Sequence, residues 1–121
     1  MGLLDYKELI VWQKSMDLVS EVYKLVKKLP KEETYVLSDQ MRRSAISIPS
    51  NIAEGNARQS TKEYSYFLSV ARGSIAELET QLILGERNGY WESKDVESAF
   101  DLITEIRKML TKIKQNLVNK D

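Results

Sequence analysis

"RRSAISIPSNIAEGNAR", residues 42–58, decides how the whole chain is read. Its apolar residues Ala45, Ile48 and Ile52 fall at three- and four-residue steps, the spacing of one helical face, and extending it backwards picks up Met41 and Leu37. Project the segment down a helix axis and two further sectors appear: Ile46, Pro49 and Ala53 on one, Arg43, Ser47, Ser50 and Glu54 on the other. A lone bundle needs one apolar sector per helix, so the second raises the question of what it covers. Pro49 sharpens it. A proline inside a helix removes a backbone donor and crowds the carbonyl four residues back, typically costing ~3 kcal/mol. The freed carbonyl of Ala45 then needs a substitute partner, with Ser47, Ser50 and Asn51 in reach, and a kink is expected at Pro49.

Working outward, punctuation marks three more helices. From about Tyr6 to Leu29, one stripe runs Leu9, Trp12, Met16, Val19, Tyr23, Val26, and a second runs Val11, Leu18, Val22, Leu25, Leu29. Together they span an apolar arc of roughly 200° at ~100° per residue, broad for a helix with one neighbour. Pro30 ends it. The second helix is expected from about Thr34 to Asn56, closing at Gly55-Asn56. Ser60, three residues before Glu63, has capping-box spacing and opens a third helix with the core row Tyr64, Phe67, Ala71, Ile75, Leu78, Leu82, closed by Asn88-Gly89. Ser93 is the expected N-cap of a fourth, whose Val96, Phe100, Ile103, Ile106, Leu110, Ile113 and Leu117 face inward. Nothing reads as a strand. Four segments of ~35–40 Å joined by short connections predict an all-α fold, an antiparallel up-down-up-down four-helix bundle forming one domain over residues 1–121.

Composition narrows the chemistry. The 121 residues contain no cysteine and no histidine, which excludes disulfides, thiolate nucleophiles, zinc–thiolate sites and the commonest general base. The Glu-x-x-His pairs of di-iron bundles cannot be built either, and Glu77 and Glu79 point to different sides of a helix. No catalytic, cofactor or metal site is expected, and the chain does not read as an enzyme. Lys+Arg 18 balance Asp+Glu 18, so there is no global field to gather phosphates or anionic lipid. Asp5 and Glu8 interrupt the apolar start, which argues against a signal peptide, and no apolar run approaches membrane-spanning length. A cytoplasmic protein without membrane contact is expected.

The surplus faces point to self-association. On the third helix Tyr66, Val70, Gly73 and Leu84 form an apolar strip away from the core row, and Gly73 permits close approach. The candidate oligomer interface is therefore Arg42, Arg43, Ile46, Ser47, Pro49, Ser50 and Glu54 from the second helix with Tyr66, Val70 and Gly73 from the third. Glu54 and Glu77 are candidate ion-pair partners for Arg42, Arg43 or Arg72, between helices or between subunits. A separate basic set, Arg58 and Lys62 near the second connection with Arg107, Lys108, Lys112 and Lys114 late in the last helix, is the candidate for RNA or DNA contact. Helix-dipole matching accounts for the late cations without any ligand.

Three passages, "LIVWQKSMDLVSEVY" (9–23), "QMRRSAISIPSNIAEGNAR" (40–58) and "EYSYFLSVARGSIAELETQL" (63–82), resemble the bacterial four-helix-bundle family named for proteins encoded in intervening sequences of 23S ribosomal RNA genes. The resemblance spans essentially the whole chain. It implies a small up-down-up-down bundle assembling as a homopentamer, and it supplies no settled activity; a protein partner at a polar central surface of the assembly is the accompanying expectation. A related branch, the accessory variability protein of diversity-generating retroelements, uses a basic barrel to bind nucleic acid and a reverse transcriptase. This chain departs from that branch in its net charge of +0. The expected role is a homo-oligomeric assembly or interaction module, with an RNA- or DNA-binding accessory protein as the alternative.

Overall fold

A computed structural model describes residues 5–120, so Met1 to Leu4 of the apolar start lie outside the described residues. The chain forms four helices: α1 (Ile10–Val26), α2 (Asp39–Ala57), α3 (Thr61–Arg87) and α4 (Ser93–Lys120). No strand occurs among the described residues. The principal contacts pair α1 with α2 and α4, α2 with α3, and α3 with α4, so every helix has two neighbours around one core.

The boundaries follow local chemistry. Asp5 caps a short 3-10 turn (Tyr6–Glu8) by accepting from the Lys7 amide, and Leu9 is extended, so α1 starts at Ile10 rather than Tyr6. After Pro30, a 3-10 turn (Lys31–Glu33) and a π-helical turn (Thr34–Ser38) carry the chain into α2. The expected start at Thr34 is therefore a wider turn, and the α-helix begins five residues later. α2 then runs unbroken through Pro49. Asn51 does not serve the Ala45 carbonyl: its Nδ2 donates to the Ser47 carbonyl at 2.8 Å and to Ser47 Oγ at 2.9 Å.

Ser60 caps α3 by accepting from the Glu63 amide at 3.1 Å. α3 ends before Gly89, whose φ of 77° is the one left-handed backbone among the described residues. At α4 the cap shifts: Asp95 accepts from the Glu92 amide at 3.0 Å, while Ser93 Oγ donates to Glu86 at 2.6 Å and ties the start of α4 back to α3.

The core is one cluster drawn from all four helices, with Leu18, Met41, Ile48, Ile52, Leu68, Ile75, Leu78, Leu82, Ile103, Ile106 and Leu110 fully enclosed. On α2 the expected row Leu37, Met41, Ala45, Ile48 and Ile52 is buried throughout. On α1 the inward stripe is Val11, Leu18, Val22 and Leu25, joined by Ser15, whose hydroxyl donates to the Val11 carbonyl at 2.7 Å. The other stripe borders the core, leaving Met16 and Tyr23 exposed. On α3 Leu68 takes the place expected for Phe67, which is only half-buried. Trp91, just before α4, closes one end, its indole N–H donating to the Leu82 carbonyl at 3.0 Å.

Candidate assembly surface

The lane of small polar residues on α2 lies beside α3. Ser47 Oγ and Ser74 Oγ are 2.8 Å apart, and Ser47 also accepts from Asn51. Gly55 belongs to the same seam: a Cβ there would come within 2.9 Å of the Phe67 Cβ. Small size thus allows α2 and α3 to approach closely, and hydrogen bonds satisfy the polar groups this approach encloses. Ser47 is half-buried within the chain, and Ser74, which the sequence reading passed over, is its partner.

The second apolar sector of α2 opens on the opposite flank. Ile46, Pro49, Ser50 and Ala53 form one wall of a groove against α1, and Tyr6, Trp12, Met16 and Val19 form the other. Pro49 is buried there, whereas Ile46 is 42% and Met16 43% exposed. Tyr6 and Trp12 meet edge-to-face with centroids 5.4 Å apart. An almost wholly apolar lining beside partly exposed Ile and Met is the composition of a contact surface. Ser50 lies at its edge and is exposed, Arg43 is exposed nearby, and Arg42 is half-buried one turn before Ile46.

On α3 the strip away from the core keeps Tyr66 62% and Leu84 47% exposed, with Val70 half-buried. Tyr66 packs edge-to-face on Phe67 at 5.2 Å. Gly73 is exposed, and a Cβ built on it meets nothing within 4 Å.

The charges sort into committed and uncommitted groups. Arg43 pairs with Asp39 at 3.4 Å, and Arg58 pairs with Glu54 at 2.8 Å and Glu63 at 3.4 Å while lying over the Phe67 ring. Two carboxylates proposed as inter-helix partners are thus resolved differently: Glu54 is taken locally, and Glu77 has no ion pair among the described residues. Arg42 and Arg72 have none either.

Of the basic set, Arg107 is held by Glu79 at 2.8 Å and Lys114 contacts Ser69, whereas Lys62, Lys108 and Lys112 are exposed without a carboxylate partner among the described residues. Arg72 and Lys114 share a shallow groove between α3 and α4 with Thr111, Gln115 and Val118. The six cations do not form one patch: Lys112 lines a different groove, between α1 and α4, with Leu9, Ile10 and Met109.

The α1–α4 side also carries a groove with Asp17, Glu21, Asp101 and Glu105, where Lys14 pairs with Glu105 at 2.9 Å and Lys24 with Glu21 at 3.5 Å. No group of three or more His, Cys, Asp or Glu among the described residues is arranged to hold a metal ion. No helix is long and apolar enough to cross a membrane among the described residues. Nothing in these surfaces points to catalysis.

The fold has a solved relative. A crystal structure at 1.70 Å resolution of a protein with unknown function from the S23 ribosomal protein family of Bacteroides thetaiotaomicron VPI-5482 is similar at a TM-score of 0.80 and 33% sequence identity, covering 87% of this chain and 98% of that one. No curated protein matches the chain. The family model described as 23S rRNA-intervening sequence protein matches residues 7–112, which takes in the α1–α2 groove apart from Tyr6, the α2–α3 seam and the exposed strip of α3. The chain therefore belongs to the 23S rRNA-intervening sequence protein family.

Proposed function

We propose that this chain is a non-enzymatic assembly module, an up-down-up-down bundle whose α1–α2 groove and α3 strip build a homo-oligomer, a pentameric ring on the family resemblance. The single observation that carries the reading is that one chain leaves both an apolar groove and a separate apolar ridge uncovered. Burying them between copies would remove apolar surface from water, worth roughly 25 cal/mol per Å².

The up-down order is supported by pairs whose numbers run in opposite directions on neighbouring helices. These are Arg107–Glu79 with Lys114–Ser69 for α4 and α3, Lys14–Glu105 with Lys28–Asp95 for α1 and its end against α4, and Ser47–Ser74 with Arg58–Glu63 for α2 and its end against α3. A cytoplasmic setting goes with this reading, since no described helix suits a membrane. The polar face left by such a ring would be free for a protein partner.

Mass measurement by light scattering tests the assembly. The expected result is a particle of several chains at micromolar concentration, and a well-folded monomer there overturns the reading. Ile46→Glu places a charge in the groove and should reduce the particle mass while leaving the helical circular dichroism intact. Equal loss of both signals would make Ile46 a core residue instead.

The groove of Arg72, Thr111, Lys114 and Gln115 favours a second reading, an accessory protein contacting the phosphate backbone of RNA or DNA. Binding of that kind weakens steeply with salt. Filter-binding curves that stay flat between low and physiological salt would dismiss it.

A further inference from the structure

Three glycines lie within the helices, Gly55, Gly73 and Gly85. Gly55 is required by Phe67 and Tyr64, and Gly85 by Trp91. Gly73 is different: it sits in the middle of α3, its φ is not left-handed, and a Cβ would meet nothing within 4 Å. A mid-helix glycine costs roughly 0.5–1 kcal/mol relative to alanine, and nothing inside this chain returns that cost. Close approach of a second backbone would.

The strip around Gly73 has a counterpart in the same molecule. Glu77, Gly73, Val70 and Tyr66 descend α3 at steps of four, three and four residues; Arg42, Ile46, Pro49 and Ala53 ascend α2 at the same steps. Each row lies along one side of its helix and spans ~16 Å at 1.5 Å per residue.

We infer that the α3 ridge of one copy seats against the α2 wall of the next copy's α1–α2 groove, antiparallel, with Glu77 opposite Arg42, Gly73 opposite Ile46, and Tyr66 opposite Ala53. This rests on the assembly reading above and specifies its contact.

Three features converge on that register. At two of the three apolar pairs, Ile46 with Gly73 and Tyr66 with Ala53, a large side chain faces a small one, which is how facing helices interdigitate without voids, and Val70 meets Pro49 between them. Arg42 and Glu77 have no ion pair among the described residues, and the register joins them across the contact. In a ring whose axis runs along the bundles, the copies point the same way. Because α2 and α3 run oppositely within one copy, α3 of the neighbour is automatically antiparallel to α2. The contact joins two different faces, so it is head-to-tail and propagates until the ring closes.

The chain has no cysteine, which makes cross-linking a clean test. Ile46→Cys and Gly73→Cys chains, each singly substituted, are co-expressed and oxidised, so a 46–73 bridge can form only between copies. A disulfide requires Cα atoms about 4.4–6.8 Å apart, so it reports the register closely. The expected product is a covalent dimer containing one chain of each kind. Ile46→Cys alone and the control mixture Ser98→Cys with Gly73→Cys should give none.

Efficient self-bridging of Ile46→Cys would show a two-fold contact and overturn the proposal. So would an assembled protein that forms no mixed dimer. A parent protein that is monomeric would fail earlier, at the assembly reading itself. As an independent arm, Arg42→Glu and Glu77→Arg should each deplete the assembled species and the double exchange should restore it; singles that assemble like the parent would also overturn the register.

Discussion

At Gly85 a methyl group has nowhere to go. A Cβ there would lie 2.1 Å from Trp91 Cζ2, and the indole is pinned by its bond to the Leu82 carbonyl, so the ring cannot step aside without breaking that bond. Gly85→Ala should therefore destabilise the chain by about 1–3 kcal/mol through overpacking, even though alanine is the better helix former. A urea denaturation midpoint checks it, and an unchanged or raised midpoint would mean that Trp91 moves freely. Beside it, the Tyr90 hydroxyl donates to Glu33 at 2.7 Å and ties the turn before α4 to the turn before α2. That bond, with some burial and the negative field of Glu33 and Glu32, raises the tyrosine pKa above its ordinary value of 10.0. The shift is upward, so the bond's stabilisation is complete below about pH 10 and disappears as pH climbs through the raised folded value. Melting curves of parent and Tyr90→Phe should differ at pH 8 and converge in strong alkali. Curves that already coincide at pH 8 would show that the bond adds nothing, and a difference that persists unchanged into alkali would show that its cause is not the protonated hydroxyl.

Individual helices show what was legible in the sequence and what was not. On α2 one apolar row dominates, and it is the row that packs inward. α1 carries two rows within one broad arc, and periodicity alone cannot choose between them; the choice is made by where α2 and α4 sit. The row with Leu18 and Val22 turns inward, and the row with Met16 becomes a groove wall. Polar residues inside a core row escape a hydrophobicity reading altogether. Ser15, Ser74 and Gln81 are buried, and the Gln81 side-chain oxygen has no partner among the described residues. The π-helical turn Thr34–Ser38 was invisible for another reason: residues that fit an α-helix fit a wider turn as well, and tertiary packing selects it. Of the candidate surface, Ile46, Tyr66 and Gly73 are exposed, while Ser47 is engaged by Ser74 and Pro49 lies buried in the groove. Ion pairing was the least legible part. Arg43, Arg58 and Glu54 pair with neighbours one helical turn away, a spacing present in the sequence but no different there from that of charges which stay solvated.

For the molecule as a whole, assembly and folding stability should be one quantity. A 121-residue chain that leaves Tyr66, Ile46, Met16 and Leu84 in water forgoes apolar burial that a neighbour can supply, and a contact made only by folded chains stabilises the fold by mass action. For a ring of several copies, a tenfold rise in concentration adds about 1 kcal/mol per chain, since a factor of ten corresponds to about 1.4 kcal/mol for each association step. In a domain of this size that moves the melting temperature by about 4 °C. The parent protein should therefore melt progressively higher between micromolar and hundred-micromolar samples. Ile46→Glu should melt at one temperature throughout, because it keeps the core of Leu18, Ile48, Ile75 and Ile106 but spoils the groove. Differential scanning fluorimetry over that range reads both slopes. A parent whose melting point ignores concentration, while light scattering finds it assembled, would mean that dissociation follows unfolding rather than being coupled to it.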